Sequence, residues 1–376
     1  MNFQLTEEQQ LIEQSAREFA KEYLDPIVVR LDQMGEFPRE VVKELANHDF
    51  LGLQLSAEAG GAGAGFVAYV AVIEALSRSC AAVASIVNNQ AMVSYSIEAW
   101  GSDAQKKQYL PKLLDGELIG AFALYEHGPA PGIGPDALIA TKRENCYVLK
   151  GVKAYVRNAA EAGVFVVFAV TDAQDPKSLT AFLVNANTGG LKVREKQSTM
   201  GLRGCSVADV VFEDVALPGS AVLGTVKAGS EITGRVLALA SVAEAAQTVG
   251  IGQAAVEHAA AYSKQRVQFG RPVGTFQAVQ TLLAETATDC HLARLGLRHV
   301  AQLVEDGKPF EAEAAMVKSF LARVGSKMLI DTCQVEGGMG FSEAMPLPRL
   351  YRDIAGTTLL DTPADFPDYA IAAAIV

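Results

Sequence analysis

In the stretch LTEEQQLIEQSAREFAKEYL, which begins at Leu5, apolar residues recur at helical spacing, with Leu11, Ile12, Ala16, Phe19 and Ala20 on one face. Thr6 stands before them and Glu8 and Gln9 follow it, a helix start capped by a side-chain hydroxyl. The stretch PREVVKELANHDFLGL repeats the period behind Pro38, a residue suited to the first helical position. After the glycine-rich break at Gly60–Phe66, the pattern predicts helices over 67–79, 81–100 and 102–114.

Near Ile119 the texture changes. IGAFALYE, CYVLKGVKAYVRN, VFVVFAV, LTAFLVNA, LKVRE and VADVVFEDVALP are short runs rich in Val, Phe, Tyr and Leu, punctuated by Gly, Asn, Asp or Pro. They predict an antiparallel sheet domain of about 100 residues. Beyond Gly224 long Ala-rich helical patterns continue to the end, and helices of such length must bury a face against one another, as in a bundle. The chain therefore reads as mostly α, with an N-terminal α-helical domain (1–118), a middle antiparallel β-domain (119–225) and a C-terminal helical bundle (226–376).

Composition narrows the function. The 376 residues carry a net charge of −11, which argues against a nucleic-acid partner and gives no attraction to an anionic membrane. Five cysteines (Cys80, Cys146, Cys205, Cys290, Cys333) form no C-x-x-C pair, as expected of a reduced, cytoplasmic chain without zinc. The opening residues show no secretory pattern, and no apolar run reaches the ~18 residues of a membrane span. Dinucleotide-fold, P-loop, zinc-protease and serine-hydrolase motifs are missing, and the five histidines show no metal-ligand spacing.

Three clusters invite a chemical reading. In YSKQRVQFGRPVGTFQAVQ, Arg266 either holds a phosphate as a bidentate donor or is a solvated residue of a helix hairpin, with Phe269 beside it. In CQVEGGMGF, the double glycine either lets a ligand approach the backbone or caps a helix. Between ALYEHGPAPGIGPDA and KAYVRN, a Gly/Pro-rich loop either embraces a pyrophosphate or thioester tail or serves as a long hairpin connection.

Together with QYLPKLLDGELIGAFAL, MGLRGCSVADVVFEDVALP and PLPRLYRD, and in this order, these clusters resemble the acyl-CoA dehydrogenase family over essentially the whole chain. The resemblance implies a C-terminal four-helix bundle, bound FAD, a homo-oligomer (dimer or tetramer, usually the homotetramer), an acyl-CoA substrate, and an electron-transfer flavoprotein or dioxygen as electron acceptor. It implies that Arg266 and Phe269, supported by Gln277, contact the FAD of a neighbouring subunit, and that Gln334, Gly337 and Gly338 line its adenosine pyrophosphate. The pocket floor would come from the helices around 83–96 and 239–248, which puts Asn89, Gln90 and Glu244 among the candidate substrate contacts, with Arg352 of the PLPRLYRD motif. Family chemistry is an α,β-dehydrogenation of the thioester: a carboxylate removes the α-proton and the β-hydrogen leaves as hydride to the flavin.

The sequence departs from the family around the flavin. The usual glutamate base is replaced by Asp361, one methylene shorter, which equally suits an Asx-turn before Pro363. A second family position for the base falls near Ala240, and Glu244 lies one turn further on. Tyr125 replaces a threonine facing the flavin, and His127 a proline. The family's W-I-T-N becomes Tyr155–Asn158, with Arg157 where a threonine usually bonds near flavin N5. A cation there stabilises anionic flavin states and can orient dioxygen or a substrate carboxylate. Tyr125, Tyr155, Arg157 and Asn158 are thus candidate FAD contacts, and Asp361 and Arg157 candidate catalytic residues. Three readings follow: a dehydrogenase, a related flavin oxygenase acting on an aromatic or cyclic CoA thioester, and a catalytically inactive relative.

Overall fold

The computed structural model describes residues 4–128, 131–132, 135–172, 174–175, 178–359, 371–372 and 374–376. Helices α1 (Glu7–Phe19), α2 (Val28–Met34), α3 (Arg39–Asn47), α4 (Gly65–Ser79), α5 (Ala81–Trp100) and α6 (Asp103–Leu114) come first. Thr6 caps α1 as expected, in a reciprocal capping box with Gln9. Helix α5 is buried on nearly every side, so it carries no amphipathic stripe and acts as the spine of the domain.

Strands β1 (Gly120–Ala123), β2 (Ile139–Arg143), β3 (Cys146–Arg157), β4 (Val164–Val170), β5 (Leu179–Asn185), β6 (Leu191–Val193), β7 (Val207–Pro218) and β8 (Val222–Leu223) follow. Among the described residues the sheet runs β6-β7-β3-β2-β4-β5-β8, with β1 on β4. It is antiparallel except where β1 and β2 each run parallel to β4. The connection from β1 to β2 is therefore not a hairpin. Strand β4 shows how the sheet is held. All seven of its residues are buried, and the alternating pleat divides them. Val164, Val166, Phe168 and Val170 pack with α5, α6 and the long helix that follows the sheet, whereas Phe165, Val167 and Ala169 pack with β3 and β7.

The bundle consists of α7 (Gly229–Gln265), α8 (Gln277–Glu305), α9 (Glu311–Glu336) and α10 (Leu347–Leu359), with a two-stranded hairpin, β9 (Val267–Gln268) and β10 (Arg271–Pro272), between α7 and α8. The small residues of α7 permit close approach: a Cβ on Gly250 would stand 2.4 Å from the Glu74 carbonyl of α4. A Cβ on Gly201 would stand 2.1 Å from the Arg352 carbonyl, so the loop before β7 lies directly on α10.

One fully buried ion pair fixes the loop between β1 and β2. Lys153 bonds Glu126 and donates to the Leu124 carbonyl at 2.6 Å, while Glu126 accepts from the backbone N–H groups of Gly132 (3.1 Å) and Leu138 (3.2 Å). Burial is the larger influence on Lys153 and pushes its pKa down to about 8, with Glu126 opposing. Removing one member strands a buried charge. Lys153→Met is expected to lower the unfolding free energy by roughly 3–5 kcal/mol, and adding Glu126→Gln should restore part of it. Urea unfolding of the parent and the two variants measures both effects.

Candidate active site at the seam of sheet and bundle

The C-terminal end of β3 is bent. Its pairing with β7 shifts register between Lys153 and Val156, and Tyr155 and Asn158 take φ values of 55° and 59°. A bulge with left-handed residues re-aims side chains that a regular strand would alternate. Asp209 of β7 steadies the bend: it accepts from the Tyr155 N–H (3.3 Å), Arg194 (3.2 Å) and Gln197 (3.1 Å), and bonds His127 Nε2 (3.0 Å). Tyr155 stays exposed, its ring edge-on to that of His127.

Arg157, two residues on, is buried. Its Nη1 donates to Ser85 Oγ of α5 at 2.8 Å and its Nη2 to Glu244 Oε1 of α7 at 3.4 Å. The other oxygen of Glu244 accepts from Lys318 of α9 at 2.5 Å, and Lys318 also donates to the Thr357 carbonyl of α10 at 2.6 Å. Sheet, N-terminal helices and bundle therefore meet on one network of charges. Its field reaches the neighbouring groups. Tyr125 is raised above the usual tyrosine range by burial and then by the charge of Glu244, with Arg157 opposing. Burial likewise raises Tyr69 and the Cys205 thiol, again against Arg157. Asn158 donates its N–H to the Ser206 carbonyl at 2.7 Å, and its side-chain Nδ2 is buried without a hydrogen-bond partner among the described residues.

Above this seam a cavity of about 10 Å³ opens between α4, α5 and α7, lined by Gln54, Phe66, Tyr69, Asn88, Met92 and Leu239. That is room for about one water. Tyr69 donates to Asn88 Oδ1 at 3.1 Å, and Gln54 Oε1 is buried without a hydrogen-bond partner among the described residues.

The sequence candidates fall into distinct places. Tyr155 faces solvent beside His127, while Arg157, Glu244, Tyr125 and Asn158 gather at the seam. Asn89 lies there too, but its amide bonds the Gly120 carbonyl (2.9 Å) and the Arg157 carbonyl (3.4 Å), holding backbone. Gln90 holds backbone as well: its Nε2 donates to the Leu113 and Leu118 carbonyls, both at 2.8 Å, and its Oε1 accepts from the Gly120 N–H at 2.8 Å, so it splices α5 to β1. Arg352 is paired with Asp32 at 2.7 Å and bonded to the Met200 carbonyl at 3.1 Å as a brace between α2 and α10. Arg266, Phe269, Gln277, Gln334, Gly337 and Gly338 lie exposed at the bundle surface. Asp361 lies outside the described residues. Ser85, Lys318 and Tyr69 were not singled out from the sequence; a lysine or serine inside an otherwise apolar helical face was the available signal.

A helical domain, a sheet and a helical bundle sharing one buried charged seam define a three-part, two-interface enzyme scaffold. The matches to known proteins make the class specific. The N-terminal, middle and C-terminal domain models of acyl-CoA dehydrogenase match residues 6–117, 133–215 and 227–363. The chain is 33% identical to a 3-(aryl)acrylate reductase of Clostridium sporogenes, covering 98% of both chains. It is 34% identical to the human mitochondrial short-chain specific acyl-CoA dehydrogenase, over 98% of this chain and 90% of that one. Butyryl-CoA dehydrogenase from Megasphaera elsdenii superposes with a TM-score of 0.95 at 31% identity, covering 100% of both chains. The protein belongs to the acyl-CoA dehydrogenase family and is an FAD-dependent oxidoreductase. The residues present suit the cofactor: Tyr155 offers an exposed ring, Asn158 a free buried donor, and a Cβ at Gly337 or Gly338 would meet nothing within 4 Å.

Immediately before Gly337, Glu336 is buried with both carboxylate oxygens lacking a hydrogen-bond partner among the described residues. His258 Nε2 stands 3.1 Å away, close enough for charge attraction but misaligned for a hydrogen bond. Burial pushes Glu336 up to about 7 and His258 down. A carboxyl raised in the folded state favours folding when protonated, so this stabilisation is lost as pH rises from about 4.5 through 7. Glu336→Gln is therefore expected to be more stable than the parent at pH 8, by at most about 3 kcal/mol, and to lose that advantage at pH 4.5. Urea unfolding at the two pH values checks the sign.

Proposed function

We propose that the protein catalyses α,β-dehydrogenation of a compact acyl-CoA thioester, or the reverse reduction. The observation that carries this reading is the meeting of Tyr125, Arg157 and Glu244 at the inner end of β3, beneath a cavity that is almost filled. That cavity holds about one water, so in this reading a short acyl group enters only as Tyr69, Met92 or Phe66 shifts, and a long chain does not fit. The full-length relatives named for short-chain and butyryl substrates support the same size class, while the 3-(aryl)acrylate reductase is named for a larger, aromatic one.

In this reading the carboxylate of Asp361 takes the α-proton. Bound FAD would supply the acceptor for the β-hydrogen and its electron pair, and an electron-transfer flavoprotein would be the partner that takes the electrons away. Arg157 supplies fixed positive charge where negative charge develops, in a site screened from water. Tyr155, Asn158 and Tyr125 orient the cofactor from the sheet. Arg266, Phe269, Gln277, Gln334, Gly337 and Gly338 serve it from a second copy of the chain. Exposed Phe269 and Phe341, each 92% accessible, support such a homo-oligomer. No described helix is long and apolar enough to cross a membrane, and the five free cysteines suit a reduced cytoplasmic setting.

A second reading is favoured by Arg157 itself: a buried cation beside reduced flavin would orient dioxygen, giving an oxygenase. Anaerobic mixing of the FAD-loaded protein with acyl-CoA esters separates the two. Bleaching by butyryl-CoA followed by slow reoxidation in air supports dehydrogenation; fast oxygen uptake with an oxygenated product supports the second reading; no bleaching by any ester removes both. Asp361→Asn is expected to slow bleaching by about 100-fold or more, and parental speed would remove Asp361 from the base role. Phe269→Asp with Phe341→Asp is expected to lower both oligomer mass by light scattering and FAD retention.

A further inference from the structure

Arg157, Glu244 and Lys318 are each 3% exposed or less, and Glu244 is the shared member. One of its oxygens takes Arg157 at 3.4 Å and the other takes Lys318 at 2.5 Å. Lys318 is itself fixed by the Thr357 carbonyl at 2.6 Å, and the Thr357 and Thr248 hydroxyls bond each other at 2.8 Å, closing the network between α7, α9 and α10. On the other side Ser85 holds the guanidinium at 2.8 Å. Ions this far from water are restrained by one another, since loss of any one leaves the others uncompensated.

We propose that Lys318 and Glu244 are positioning residues for Arg157: the carboxylate they share fixes where the guanidinium sits, and the lysine sets how much positive charge the seam presents. The proposal rests on the reading that Arg157 faces the bound flavin. It has a consequence that packing alone lacks. Neutralising Lys318 removes one positive charge from the seam, and neutralising Glu244 adds one. Their effects on an anion added beside Arg157 must therefore have opposite signs, whereas damage to packing would weaken binding in both.

Sulfite is a suitable probe, because the anion adds to oxidised flavin, bleaches it, and is favoured by nearby positive charge. Titrated into FAD-loaded protein, sulfite is expected to bind roughly tenfold more weakly to Lys318→Met and roughly tenfold more tightly to Glu244→Gln, the scale of one unit charge acting over about 12 Å at an effective dielectric constant of about 20. Lys318→Arg keeps the charge and should bind close to the parent. Shifts of the same sign in Lys318→Met and Glu244→Gln, or parental affinity in both while Arg157→Met weakens binding, would overturn the proposal and leave the reading of Arg157 standing. Parental affinity in Arg157→Met as well would overturn both. Should Lys318→Met fail to fold, Glu244→Gln decides: tighter binding supports the proposal and unchanged binding refutes it.

Discussion

The rest of the structure depends on the burial of one guanidinium. Arg157 sits at the end of β3, and its compensating partners come from elsewhere in the chain: Ser85 from the N-terminal helices, Glu244 and, behind it, Lys318 from the bundle. An isolated charge in the interior would cost several kcal/mol. The sheet can thus end in a buried arginine only where both helical units are docked. Domain arrangement and site chemistry are here a single constraint.

Around that point the sheet is irregular in a purposeful way. The register shift before Val156 and the left-handed Tyr155 and Asn158 turn the strand's side chains toward different surroundings, Tyr155 to solvent and Arg157 into the seam. Strain of this kind persists only when neighbours over-determine it. Asp209 does so for Tyr155 through its N–H, and Ser206 for Asn158. The Glu126–Lys153 pair performs the same service for the loop above, satisfying backbone N–H groups that no strand pairs.

Helix α5 shows where polar residues inside an all-buried helix find partners. The resemblance puts the pocket floor in this helix and so made Asn89 and Gln90 substrate candidates, but a helix buried on all sides has no solvent face on which they could rest. Their partners are instead the chain ends around α6 and β1, where backbone groups at the start of the sheet need satisfying. Arg352 finds its partner at long range. Its motif is recognisable in sequence, but Asp32, its ion-pair partner, lies 320 positions away and could not be paired with it by pattern.

Periodicity and turn residues were enough to divide the chain into helices, strands and helices, because both signals act over a few residues: side-chain spacing of 3.6 or 2, a capping threonine, a glycine break. Motif order was enough for the family and for FAD, since each motif is a short local segment that can be read without its spatial neighbours. It also marked Arg157 as out of place. What tertiary structure alone decided is how that charge is tolerated. The carboxylate, hydroxyl and lysine around it come from positions 244, 85 and 318, and no local pattern links residues that far apart. Two parallel pairings within an otherwise antiparallel sheet were likewise invisible, because strand direction is set by how the chain returns through space and not by the residues of the strand.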